Sequence, residues 1–143
     1  MATKPKSRPL SIRISTDAEE LIAAEARRTR RSKGAVVESL AEESLRTRMF
    51  PGIAFRGDDF ERRPWVIGTA FDVWQVIDAH RDLGSVEALV AEGSLSERQI
   101  RLALAYYERF PEEIDEAIAR NRRPLSQLRS EYPFVEVHTA GEK

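Results

Sequence analysis

The 143-residue sequence has no cysteine and only two histidines, His80 and His138. Disulfides and thiolate metal sites are therefore excluded, and two imidazoles alone are a poor basis for a zinc site. No metal and no cofactor is expected. No apolar run is long enough to span a bilayer, and Met1-Ala2-Thr3-Lys4-Pro5-Lys6 leads into no apolar stretch of the signal-peptide kind. A chain without anchor or leader is expected to remain in the cytoplasm. What is present is ordinary for a globular protein, 41% hydrophobic and 33% charged residues, enough for one domain or two small ones.

Net charge is also scarce, −1 overall, which by itself argues against a nucleic-acid partner. The distribution argues the other way. Residues 1–48 hold 11 Lys or Arg against 7 Asp or Glu, leaving 12 against 17 for residues 49–143. The first part is thus basic (+4) and the second acidic (−5). Lys4, Lys6, Arg8 and Arg13 all precede the first acid, Asp17, so cationic density is greatest at the very start, where phosphates would be met.

In the same place, Leu10, Ile12 and Ile14 alternate with Pro9, Ser11, Arg13 and Ser15, the period of a strand with one apolar face. A lone strand cannot satisfy its backbone. The same strand from a second chain would complete a two-stranded antiparallel ribbon, a shape that fits the major groove. Thr16 followed by Glu19 reads as a capping box, with Asp17 in the first turn, and predicts a helix to about Arg30 with Leu21, Ile22 and Ala26 inward. Ser32 can cap a second helix carrying Val36, Val37, Leu40, Ala41, Ser44 and Leu45 inward, with Glu38, Glu42, Glu43 and Arg46 facing water. The turn between them is Arg30-Arg31, where a positive φ would be costly for a bulky residue. One strand and two short helices bury too little to stand alone, so an intertwined dimer is the physical consequence.

Residues 9–48 resemble a ribbon-helix-helix domain of the Arc and CopG type, on the strand Leu10-Ser11-Ile12-Arg13-Ile14, the helix Asp17 to Arg30 and the turn into Ser32-Lys33-Gly34-Ala35-Val36-Val37-Glu38. The resemblance implies that Pro9, Ser11 and Arg13 face base edges, and that Ser32 with the amides of Lys33 and Gly34 clamps a phosphate. Arg13 can pair bidentately with guanine, a contact that discriminates by about 1–3 kcal/mol.

Beyond residue 48 the texture changes. Met49-Phe50-Pro51-Gly52 breaks the second helix, and Ile53–Arg56 and Pro64–Ile67 flank a Gly57-Asp58-Asp59 turn, which predicts a hairpin. Val73, Trp74, Val76, Ile77 and His80 then fall near one helical face, ended by Leu83-Gly84. Ser85 can cap a short helix stopped by Gly93, and Ser96 with Gln99 a longer one through Tyr107. Pro111 is placed to open a last helix over Glu112 to Arg120. The short and long helices make a helix-turn-helix silhouette. The mixed face of Glu97, Arg98, Arg101, Glu108 and Arg109 suits a protein partner better than a phosphate backbone.

Pro51-Gly52-Ile53-Ala54-Phe55-Arg56, Arg62-Arg63-Pro64, Gly68-Thr69, Asp72-Val73-Trp74, Ala103-Leu104-Ala105-Tyr106-Tyr107 and Pro111-Glu112-Glu113-Ile114 resemble domain-of-unknown-function family 433, over roughly residues 49 to 120. That family is associated with VapB-like antitoxins, whose partner is a PIN-like ribonuclease toxin. The resemblance implies a helical domain that pairs with a toxin or mediates further oligomerisation.

No constellation suggests catalysis. Asp58, Asp59 and Glu61 sit in a turn where such residues are at home, Asp72 is placed to cap a helix, and His80 shares a helix with Trp74 and Ile77. No enzyme is expected. In the tail, Tyr132-Pro133-Phe134-Val135-Glu136-Val137 is apolar and extended, suited to docking on its own domain or adding to a partner's sheet edge. The candidate toxin contacts are Arg62, Arg63, Arg122, Arg123, Tyr132 and Phe134. The expected architecture is mainly α. It comprises a basic arm (1–8), a ribbon-helix-helix domain (9–48), a small helical domain with a hairpin (49–123) and a tail (124–143). The expected function is an antitoxin that binds operator DNA as a homodimer or tetramer and neutralises a ribonuclease. The alternative is a stand-alone transcriptional regulator whose second half oligomerises or senses.

Overall fold

Serine side chains set the first two helices. In the computed structural model, which describes residues 8–122, Ser15 is extended (φ −66°, ψ 158°) and its Oγ accepts the Ala18 amide at 3.1 Å. Helix α1 (Thr16–Thr29) therefore starts one residue earlier than a Thr16 cap predicts. Glu19 leaves the capping role and lies 3.9 Å from Lys33. Helix α2 (Lys33–Met49) begins as expected, with Ser32 Oγ accepting the Ala35 amide at 3.1 Å.

The turn between them is closed by a Schellman arrangement. The Arg31 amide donates to the Ala26 carbonyl at 3.1 Å, and Arg30 takes the left-handed conformation (φ 54°, ψ 41°) normally left to glycine. Thr29 is buried and its hydroxyl donates to the Glu25 carbonyl at 2.8 Å. The Arg31 guanidinium donates to Ala35 O and Ser39 Oγ, clasping the first turns of α2.

The chain divides into two compact units, residues 1–44 and 45–143, with the division inside α2 rather than at its end. In the first unit Val36 is fully buried, but the expected inner face is largely open. Leu21 is 73% exposed and Leu40 50%, and Ala41 and Ser44 are exposed too, as is Leu45 just past the division. Two helices in one copy have too little surface to cover them. The segment Pro9–Ser15 likewise forms no strand: Leu10, Ile12 and Ile14 are 85%, 60% and 46% exposed. A strand requires a ladder partner, and the only sheet among the described residues lies elsewhere, at residues 53–66.

That sheet is the antiparallel hairpin of β1 (Ile53–Arg56) and β2 (Arg63–Val66), with Ile53 opposite Val66 and Arg56 opposite Arg63. Its turn needs Gly57. The φ there is 113°, and a β-carbon would come within 2.3 Å of the Glu61 carbonyl oxygen. Four helices follow: α3 (Val73–Leu83), α4 (Val86–Ala91), α5 (Glu97–Arg109) and α6 (Pro111–Asn121). Their signals act as read. Ser85 caps α4, Ser96 and Gln99 form the reciprocal box of α5, Pro111 opens α6 and Gly84 ends α3. Helix α3 packs against α4, α5, α6 and β2, and Val73, Val76, Ile77, Ile100, Ala103, Tyr106 and Ile114 join Ile53 and Val66 in one buried core. The protein is thus mainly helical with one small hairpin, and no described helix is long and apolar enough to cross a membrane.

Replacing Arg30 by glycine relieves the left-handed strain and should stabilise the first unit by about 0.5–1 kcal/mol, read as a higher urea midpoint. Gly57→Ala should do the opposite to the second unit, destabilising it by about 1–3 kcal/mol and so lowering its urea midpoint, since backbone rather than a flexible side chain blocks the new methyl group.

Candidate functional site

The N-terminal candidates lie open. Arg8, Pro9, Ser11 and Arg13 are all exposed, as are Ser32, Lys33 and Gly34 at the start of α2, whose first turn carries no acid. Around Gly34 a β-carbon would meet nothing within 4 Å, so the backbone there is accessible. Lys4 and Lys6 of the arm lie outside the described residues, as do Arg123, Tyr132 and Phe134 of the tail.

In the second unit the chemistry gathers around one carboxylate. Asp72, at the start of α3, is buried, and its two oxygens accept Arg56 Nε at 2.7 Å and Arg63 Nε at 2.8 Å. As expected it is the N-cap of α3, closing a capping box with Gln75, whose Oε1 accepts the Asp72 amide at 2.8 Å, while its carboxylate oxygens also take the two guanidinium groups. Arg56 also donates to Ala70 O and lies 5.4 Å from the Trp65 ring centroid. Trp65 Nε1 donates to Thr69 O at 2.7 Å, so the hairpin and the turn into α3 are locked together. Asp58 is likewise used locally, its Oδ1 accepting the amides of Phe60 and Glu61. Among the described residues no group of three His, Asp or Glu is placed to hold a metal ion.

A second buried cluster corrects the sequence reading of Arg46. Expected to face water, it is only 7% exposed, and it donates to Tyr106 Oη at 2.8 Å and Glu113 Oε2 at 2.5 Å. Its guanidinium also stacks 3.9 Å from the Phe110 ring centroid, beside Phe50 and Tyr106. Burial works against the Arg46 charge, but Glu113 and Tyr106 outweigh it and hold the group above its ordinary value. Burial, aided by Glu113, pushes the Tyr106 hydroxyl up, so it stays protonated and donates to Glu113 Oε1 at 3.2 Å. Local spacing offers no signal for this cluster, because its members are 60 and 67 residues apart.

Asp72 and Glu113 both line a cleft of about 500 Å³. The hairpin contributes Glu61, Arg62, Arg63 and the buried Pro64; α3 contributes Trp74. Helix α6 supplies Ile114, Ala117, Arg120 and Asn121. The structure therefore brings the predicted pair Arg62 and Arg63 into one concavity with Trp74, Glu113 and Arg120, none of which was a predicted toxin contact. Arg62 is partly engaged with its own chain, donating to Gly57 O and Phe55 O at 3.0 Å each. Arg122 is not part of the cleft. It bridges Asp78 at 2.6 Å and Asp82 at 3.0 Å, whose hydrogen bonds hold its pKa up. A third cluster, Arg81 with Tyr107 and Asp115, is exposed, and the hydrogen bond from Arg81 holds the Asp115 carboxyl below its usual range.

No family model, curated protein or solved structure matches the chain.

Replacing Arg46 with Met should cost about 2 kcal/mol, because Glu113 loses its ion-pair partner while remaining partly exposed, and Tyr106→Phe about 1 kcal/mol; equal costs in chemical denaturation would contradict this ordering. Asp115→Asn provides a pH test. A carboxyl with a lowered folded pKa stabilises above its unfolded value of about 3.9, and that stability vanishes as pH falls through the folded value. The mutant should therefore melt below wild type at pH 7, and the gap should close as pH falls through the acid range.

Proposed function

We propose that the chain is an antitoxin: a homodimer whose residues 9–48 form a ribbon-helix-helix operator reader, and whose residues 49–123 neutralise a PIN-like ribonuclease toxin. The observation that carries the DNA-binding part is the open N-terminal segment. Leu10, Ile12 and Ile14 alternate with Ser11 and Arg13, have no ladder partner among the described residues, and precede two capped helices whose Leu21 and Leu40 are also uncovered. A second copy would supply both the missing strand and the cover, and the ribbon's other face would carry Ser11 and Arg13 into the major groove. Exposed Lys33 and Gly34, at a helix start whose first turn carries no acid, suit a phosphate.

The toxin part rests on the resemblance of residues 49–120 to family 433 and on the acidic balance of that half. Arg62, Arg63 and Arg122 would meet a toxin only through donors not already committed to the chain itself. A stand-alone regulator is the second reading, and the cleft favours it, because a ligand-sized concavity suits sensing.

Wild-type chain should sediment as a dimer at micromolar concentration, and Ile12→Glu, which places a charge on the apolar face of the ribbon, should yield monomer. A monomeric wild type would remove the ribbon reading. In fluorescence anisotropy with operator-region DNA from its own upstream sequence, Arg13→Ala should weaken specific binding by roughly 5- to 150-fold, and wild-type binding should fall steeply with salt. The toxin part stands on growth: a neighbouring gene that arrests cells alone and is silenced by co-expression of this chain supports it. Unchanged growth on expressing every adjacent gene alone would leave only the regulator.

A further inference from the structure

We propose that the cleft between the hairpin and α6 binds a monoanionic carboxylate joined to an apolar body, supplied by a free organic acid or by the C-terminal end of a peptide. This goes beyond the DNA-binding reading and does not depend on it.

Size and lining come first. A cleft of about 500 Å³ lies within the range of roughly 300–1,000 Å³ usual for small-ligand sites. Pro64 and Ile114 are buried, Trp74 and Ala117 half-buried, so apolar material lines it among the charges and can take an aliphatic or aromatic body.

Charge selects the other end of the ligand. Three carboxylates border the cleft, but two are already matched from behind: Asp72 by Arg56 as well as Arg63, and Glu113 by Arg46. Arg46, Arg56, Arg62, Arg63 and Arg120 thus stand against Glu61, Asp72 and Glu113, a cationic surplus in the acidic part of the chain. The Arg120 guanidinium has no hydrogen-bond or ion-pair partner among the described residues, and its planar fork matches a carboxylate bidentately. A dianionic phosphate would set its second charge against Glu61, whereas a single carboxylate does not. Arg120 is the anchor in this assignment, and the apolar residues hold the body.

The test uses the full chain with 4-phenylbutyrate and the peptide acetyl-Gly-Leu-Phe, each as acid and as amide, followed by tryptophan fluorescence and by amide chemical shifts. At least one of the acids should bind saturably, with Kd on the order of 1 mM or tighter. Its amide should bind at least about tenfold more weakly, and inorganic phosphate should not compete. Arg120→Gln, an exposed change that leaves the melting curve in place, should weaken the acid about tenfold, and Arg120→Lys by less. Tighter binding of the peptide or of the free acid assigns the source. No saturation by either acid, equal affinity of acid and amide, competition by phosphate, or an Arg120→Gln chain that binds as wild type does would each overturn the proposal.

Discussion

The buried carboxylate of Asp72 organises the second half of the molecule. Burying a charge is tolerable only when it is paired and hydrogen-bonded. Here the pairing draws one arginine from each strand of the hairpin onto the residue that caps the start of α3. The hairpin alone would be marginal in water. Tied to α3, with Ile53 and Val66 inserted beside Val73 and Val76, it becomes a wall of the core. The same ties fix Arg63 and Pro64 along one side of the cleft.

The Arg46 cluster works by the same logic within the same unit. A guanidinium with two polar partners and an aromatic face on Phe110 is accommodated where an unpaired one would be expelled. It also fits a division between units that falls inside α2: the last turns of that helix carry Arg46, whose partners Tyr106, Glu113 and Phe110 belong to α5, α6 and the turn between them. Glu113, which completes the cluster, also borders the cleft, so packing and candidate binding surface share an atom group.

How much of this was legible depended on range. Where a structural decision is made within four residues, the sequence carries it: Ser85 and Ser96 as caps, Gln99 as the return bond, Pro111 as an opener and Gly84 as a stop all act as their chemistry dictates. Even the error at the first helix is local, since Ser15 and Thr16 are adjacent residues of similar capping chemistry and backbone geometry chose between them. The left-handed cost at Arg30-Arg31 was readable too, and Arg30 bears it. Arg46 and Arg120 were not. Their roles depend on residues brought together by folding, and a helical wheel shows Arg46 only as a cation among acids. The alternation from Leu10 to Ile14 was plain, but no partner strand for it lies among the described residues.

The uncovered leucines and isoleucines of the first unit have a consequence for abundance. In the proposed dimer, an apolar surface that a second copy covers would tie the state of each molecule to how many others are present. With copies scarce, each one would spend longer with that surface bare and open to chaperones and proteases; with copies plentiful, mutual cover would slow removal. Under the dimer reading, such a chain measures its own dosage. Its lifetime would rise with its concentration, and dilution at cell division would be felt as accelerated loss rather than as a simple halving.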